Sequence, residues 1–141
     1  VSPDQTPERG RWRYVLAAAA VVVLGLGSRK WAFVPEFFAV NAGDALWTVE
    51  AFLVLAIVFR RAPSLGLALA AFGVSALVEL SQLLRHPLLD EIRRTTLGAL
   101  LLGSGFLWAD FLRYAVGALA AYAFDKAIIR LHSCRKCLSE K

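Results

Sequence analysis

The groups in this chain of 141 residues that could do chemistry are eleven carboxylates, sixteen Lys and Arg, two His and two Cys. None stands in a spacing that signals a known reaction. The chain has no nucleophile elbow, no phosphate-binding glycine loop and no H-E-x-x-H pair. His86 and His132 both fall at the edges of apolar runs, away from any Ser and Asp that would complete a triad. The tail sequence H-x-C-x-x-C supplies His132, Cys134 and Cys137, three possible zinc ligands where a closed structural site needs four. Lys and Arg around those thiols would favour their thiolates. The plain alternative is a basic tail at a membrane surface. His86 precedes Pro87. Axial ligation of a porphyrin is conceivable there, but a lone His at a membrane edge is usually only polar. We therefore expect no enzyme and no cofactor. What stands out is a set of ionisable residues inside apolar runs: Glu50, Glu79, Asp110 and Arg113.

The elements that must position these residues are membrane-type. Apolar residues make up 58% of the chain and charged residues 19%, against about 45–50% and about 25% in soluble domains. Apolar runs cover Tyr14–Gly27, Ala45–Phe59, Leu65–Leu84 and Leu97–Phe124. This predicts an all-α bundle of four transmembrane spans, with five possible: about 12–28, 44–60, 63–85 and 94–124. A polar tail (1–11) precedes the spans and a basic tail (125–141) follows them. The first run lacks a small-residue cleavage pattern and is read as a retained span. The connector Trp31–Gly43, with Phe33, Phe37 and Phe38, is apolar enough to lie in the interface. Asp44 is expected to N-cap the second helix, and Asp90–Thr96 to be a short polar link. The last run is long for one crossing. It is either one tilted helix or two segments broken between Trp108 and Arg113.

With four spans, ten Lys and Arg lie on the side of the two termini and five on the other. The net charge of +5 thus reads as an orientation code with a cytoplasmic N-terminus, not as a nucleic-acid footprint. The expected surroundings are the lipid bilayer and, conceivably, other membrane subunits. Gly66 and Ala70, Ala99 and Gly103, and Gly117 and Ala121 have the small-xxx-small spacing that lets helices approach closely.

This topology assigns depths. Glu50 lies six residues below Asp44, and Glu79 six below Arg85, each about 9 Å by helical rise. Two carboxylates on neighbouring helices would then share a level, and one could carry a proton. Gln82 and Ser75 fall on the face of Glu79. The arrangement suggests a polar pocket at the outer leaflet, with Glu50, Glu79 and Gln82 as its floor and Arg29, Asp44 and Arg93 as its rim. Arginine there would suit a phosphate or carboxylate head group. The competing reading is an internal ion network in which these groups neutralise one another. Asp110 and Arg113, at i and i+3, read as a local pair near the inner interface, beside Trp108 and Tyr114.

Five segments occur in order: G-L-G-S-R (Gly25–Arg29), G-D-A-L-W (Gly43–Trp47), E-L-S-Q (Glu79–Gln82), R-R-T-T-L-G (Arg93–Gly98) and G-F-L-W-A-D-F-L-R-Y (Gly105–Tyr114). Over about Tyr14–Gly117 the chain resembles a bacterial family of small integral membrane proteins of unknown function, distantly similar to VanZ-like proteins. The matching positions are Arg29, Asp44, Trp47, Glu79, Gln82, Arg93 and Asp110. Glu50 and the H-x-C-x-x-C tail fall outside the pattern. VanZ-like relatives are linked to glycopeptide and lipopeptide resistance. The resemblance thus implies a multi-pass protein of the bacterial cytoplasmic membrane with an envelope-related role. Two functions are expected from the sequence: a membrane-embedded site for an outer-leaflet amphiphile or lipid head group, or an accessory subunit of a larger respiratory or photosynthetic complex.

Overall fold

The computed structural model describes residues 9–28, 36–83, 86–95, 97–98 and 107–139. Among these residues it is all-helical, with five helices and no strand. They are α1 (Arg11–Ser28), α2 (Glu36–Val58), α3 (Ser64–Ser81), α4 (Pro87–Arg94) and α5 (Trp108–Ser139). α3 is long and apolar enough to cross a membrane by length and composition, the one such helix among the described residues. The expectation of four spans is therefore supported at the coarser level of an all-helical chain with one candidate span.

Side-chain contacts set the directions of the helices. Thr48 Oγ1 on α2 lies 3.0 Å from Ser75 Oγ on α3, both fully buried. Glu79 bonds Tyr114 near one end of the α3–α5 pair, and Arg9 joins Ser64 to Asp125 at the other. α3 is thus antiparallel to α5. Asp44 and Arg113 meet across α2 and α5, which run parallel. The start of α1 returns to the end of α2, where the Arg9 N–H donates to the Arg60 carbonyl. The result is an up-down-up-down arrangement of α1, α2, α3 and α5, with α2 packed against all three others. Tyr14, Phe52, Leu53, Ala56, Leu67, Ala68, Ala71 and Ala121 form the apolar core.

Three helices depart from the sequence expectation. α2 starts at Glu36, so Asn41 and Gly43 are helical and Asp44 lies well inside the helix instead of capping it. Pro35 and Glu36 provide the start signal in its place: proline before the first turn, then a carboxylate at the positive end of the helix dipole. The expected polar link is the helix α4, N-capped by His86, whose Nδ1 accepts from the Leu88 N–H at 3.3 Å. That contact gives His86 a structural role at the start of α4. In the fourth run the stretch Trp108–Arg113, where the sequence allows a break, is helical, and the described interruption lies just before it. Leu107 is not helical, and α5 begins at Trp108. α5 continues past Phe124 into the expected tail and ends at Ser139, 32 residues in all, about 48 Å long.

One small-residue pair packs as expected. A methyl added at Gly117 would collide with the Ala45 carbonyl, and Ala121 is buried in the core, so α5 approaches α2 closely along this face. Ala70, by contrast, is exposed, and Ala99 and Gly103 lie outside the described residues. So do Trp31 and Phe33.

Polarity is distributed in an unusual way. The buried set includes Arg9, Thr48, Ser64, Ser75, Glu79, Asp110 and Asp125. The exposed set includes Val22, Val23 and Leu24 on α1, Val54 and Val58 on α2, Leu65, Leu69 and Leu77 on α3, and Leu112, Val116 and Leu119 on α5.

Candidate functional site

The Thr48–Ser75 contact sets the register between α2 and α3. One turn further along each helix stand Asp44 and Glu79, which are therefore level. Glu50 is not level with Glu79. Six residues along α2 from Asp44, it lies about 9 Å deeper. The shared-level expectation fails because α2 and α3 pair through Thr48 and Ser75, a register that charge spacing does not reveal.

Glu79 is fully buried and organises the cluster. Its Oε2 accepts from Gln82 Nε2 at 2.8 Å and from the Tyr114 hydroxyl at 2.9 Å. Its Oε1 accepts from the Leu107 backbone N–H at 2.8 Å. The last bond ties the residue before α5 to α3. Arg113 Nη1 donates to Asp44 Oδ2 at 3.0 Å and, at short range, to Asp110 Oδ1. Asp110 and Arg113 are a pair, as their spacing indicates. They belong to the end of the bundle that holds Asp44 and Glu79, however, and not to the opposite interface. The correction follows from α5 starting at Trp108, which places its first turn beside Glu79.

The other expected site residues are placed as follows. Arg93 Nη2 donates to the Ser81 carbonyl at 2.7 Å, and its Nη1 lies 3.3 Å from Asp90. It ties α4 back to the end of α3. Trp47 is half-buried on α2, one turn from Asp44. Arg29 lies outside the described residues. The side chains of His132 and Cys137 are also outside the description, while Cys134 is a free, exposed thiol. Among the described residues, no group of three or more His, Cys, Asp and Glu is arranged to hold a metal ion.

The cluster thus brings Asp44 and Asp110 onto Arg113, with Glu79 beside them held by Gln82, Tyr114 and the Leu107 N–H. Gln82 adds an open acceptor. Its amide nitrogen is committed to Glu79, and its Oε1 is enclosed without a hydrogen-bond partner. Chemically, such a site accepts hydrogen bonds and favours a cationic or donor-rich group. Tyr114 and Thr48 were not singled out by sequence reasoning. Their signal was present, since each lies four residues after an acid of the cluster, Asp110 and Asp44.

A second polar cluster at the other end joins residues of the two segments that the sequence reads as tails, Arg9 and Asp125. In the fold the Arg9 guanidinium makes five bonds. Nε and Nη2 reach Asp125 at 3.0 and 2.7 Å. Nη1 reaches the Ala62 and Arg60 carbonyls at 2.7 and 3.2 Å. Nη2 also meets Ser64 Oγ at 3.2 Å. Every N–H of the fork has an acceptor. The Tyr14 hydroxyl also donates to Asp125. Burial opposes ionisation of Asp125. Hydrogen bonds from Arg9, Ser64 and Tyr14, with the Arg9 charge, outweigh it and hold the carboxyl below its usual range. Burial likewise opposes the charge of Arg9, and Asp125 more than restores it, so the guanidinium pKa is raised. This clasp joins α1, the α2–α3 turn, α3 and α5. The sequence signal was Asp125 itself, an acid directly at the end of the last apolar run and ahead of the cations that follow.

No solved structure matches the chain. The acid-rich cluster and Glu50 fall inside a segment shared with a known family, whereas the Arg9–Asp125 clasp falls outside it. Residues 33–118, more than half of the chain, match the family described as Protein of unknown function (DUF2809), and the chain belongs to that family.

Proposed function

We propose that the protein is a multi-pass integral membrane protein whose acid-rich end recognises the donor-bearing polar group of an amphiphile in the outer leaflet. In this reading α1, α2, α3 and α5 each cross the bilayer. The clasp end, with both cation-rich termini, faces the cytoplasm. The membrane reading is supported by the inverted polarity, charged and hydroxyl groups inside and Leu and Val outside. A soluble exterior rarely carries so much contiguous apolar surface. Lipid also requires polar groups to find partners within the protein. The resemblance to VanZ-like proteins of the bacterial envelope supports the same setting, the cytoplasmic membrane of a bacterium.

The observation that carries the binding reading is the enclosed Gln82 Oε1, an acceptor without a hydrogen-bond partner beside the carboxylates of Asp44, Glu79 and Asp110. Arg93 and Arg113 already bond acidic side chains. The site therefore favours an ammonium with N–H donors over the phosphate or carboxylate that free arginines would take.

Phosphatidylethanolamine and phosphatidylcholine are the probes, since the ammonium of the first carries N–H donors and that of the second carries none. Native mass spectrometry of protein released from nanodiscs of each should show a retained lipid only with phosphatidylethanolamine, lost in Gln82→Leu. Equal retention of both lipids, or of neither, would refute the reading. Recovery of a large stoichiometric assembly would support the accessory-subunit function instead.

A further inference from the structure

The clasp end is strongly positive. Among the described residues 9–14, 59–64 and 124–139, nine are Lys or Arg and one, Asp125, is an acid. Asp125 is fully buried and already bonded to Arg9. It therefore offsets none of the charge at the surface. A face of this kind draws anions.

Three exposed cations fall near one level. The Tyr14 hydroxyl on α1 meets Asp125 on α5. Outward from that contact, Arg11 lies about 4.5 Å along α1 by helical rise, and Lys126 and Arg130 about 1.5 and 7.5 Å along α5. Arg11, Lys126 and Arg130 are all exposed. Lys126 and Arg130 stand one turn apart on one face of α5. Tyr122 precedes them on that face, and its ring centroid lies 5.9 Å from Lys126 Nζ, which steadies the ammonium. α5 runs on to Ser139, so both cations sit on a continuous helix.

Exposed apolar side chains border these cations. Trp12, Phe59 and Phe124 are exposed, next in sequence to Arg11, Arg60 and Asp125. The apolar surface continues inward from them through Val15 and Leu16 on α1 and Leu65 on α3. Cations beside aromatics, with aliphatic surface beyond, match the boundary between head groups and acyl chains. A soluble anion would use the cations alone. A lipid uses both.

We propose that the clasp end carries a binding site for an anionic phospholipid of the cytoplasmic leaflet. Arg11, Lys126 and Arg130 hold its phosphate, and its acyl chains lie on the apolar surface that begins at Trp12 and Phe124. The two guanidinium forks bond phosphate oxygens, and the ammonium adds a point charge. The inference rests on the membrane reading above but not on the acid-rich site, which lies at the other end.

The test is native mass spectrometry of the full chain released from nanodiscs that mix phosphatidylcholine with phosphatidylglycerol. Phosphatidylglycerol should be retained in preference. Arg11→Gln with Lys126→Gln and Arg130→Gln should weaken its binding about a hundredfold, about fivefold per cation. None of the three belongs to the clasp, so circular dichroism should show unchanged helix content. Arg130→Glu alone, a single change at an exposed position, should weaken binding more than Arg130→Gln alone. Arg135→Gln with Lys136→Gln and Lys141→Gln removes the same charge further along the chain and should keep the lipid. Retention of both lipids in proportion to their supply, or an equal loss in the two triple variants, would overturn the proposal. So would displacement of the lipid by glycerol phosphate or by RNA, which would mark a site for a soluble phosphate or a nucleic acid. Carbonate extraction separates these outcomes from failure of the membrane reading. A chain that stays in the membrane without preferring phosphatidylglycerol refutes only the lipid site, whereas one released by carbonate refutes the membrane reading itself.

Discussion

Replacing Asp125 by Ala should destabilise the fold by about 3–5 kcal/mol, the range for removing one partner of a buried ion pair. The side chains of Arg9 and Asp125 are 1% and 0% exposed, so solvent screening is small. The substitution removes the acceptor for Arg9 Nε and Nη2 and for the Tyr14 hydroxyl. It leaves a guanidinium held by two carbonyls and one hydroxyl, with no counter-charge in contact. Equilibrium unfolding in detergent, followed by circular dichroism, measures the loss. The double substitution Arg9→Met with Asp125→Leu should recover most of it, because the cost lies in the stranded charge and not in the missing bridge. The pH dependence follows from the direction of each shift. A depressed carboxyl contributes fully above its unfolded value, about 4, and loses that contribution as pH falls through the lower folded value. A raised arginine contributes fully below its unfolded value and loses it only in strong alkali. The difference between parent and Asp125→Ala should therefore be flat from about pH 5 to pH 9 and shrink below about pH 4. A loss under about 1 kcal/mol, the range of exposed pairs, would refute the reasoning. So would a difference that varies between pH 5 and pH 9.

Other substitutions test the rest of the packing. Glu79→Ala strands Gln82, Tyr114 and the Leu107 N–H together and should cost about 3 kcal/mol or more. Tyr114→Phe removes one of those bonds and should cost about 1 kcal/mol by the same unfolding assay. Gly117→Ala drives a methyl into the Ala45 carbonyl and should cost about 1–3 kcal/mol, seen as a lower unfolding midpoint. With Cys137→Ser as background, a membrane-impermeant maleimide should label the exposed Cys134 in inside-out vesicles and not in intact cells. The opposite pattern would reverse the proposed orientation.

The site was partly readable because its members recur at helical spacing. Asp44 and Thr48, Ser75 and Glu79, and Asp110 and Tyr114 are each four residues apart, and that places each pair on one helix face. The same spacing could not say which faces meet. Glu50 and Glu79 fall at different levels because the Thr48–Ser75 contact puts Glu79 level with Asp44, and residue spacing does not contain that register. The helix also begins eight residues before Asp44, at Glu36. The pair Asp110 and Arg113 was assigned to the wrong end because the last apolar run reads as continuous. The start of α5 at Trp108 lies beside a bond from the Leu107 N–H to Glu79, 28 positions away.

By itself the sequence determined the class and the local grammar. Apolar content and run length specify helices, since period and propensity act within a few residues of the chain. The spacing of polar residues specifies stripes on those helices. The tertiary structure decided which stripes close on one another. It joined Arg9 to Asp125 across 116 positions and Arg113 to Asp44 across 69. Those outcomes depend on helix register, which is set where buried groups such as Thr48 and Ser75 must find each other. A pairing of that kind balances desolvation of both partners, and residue spacing along the chain carries no record of it.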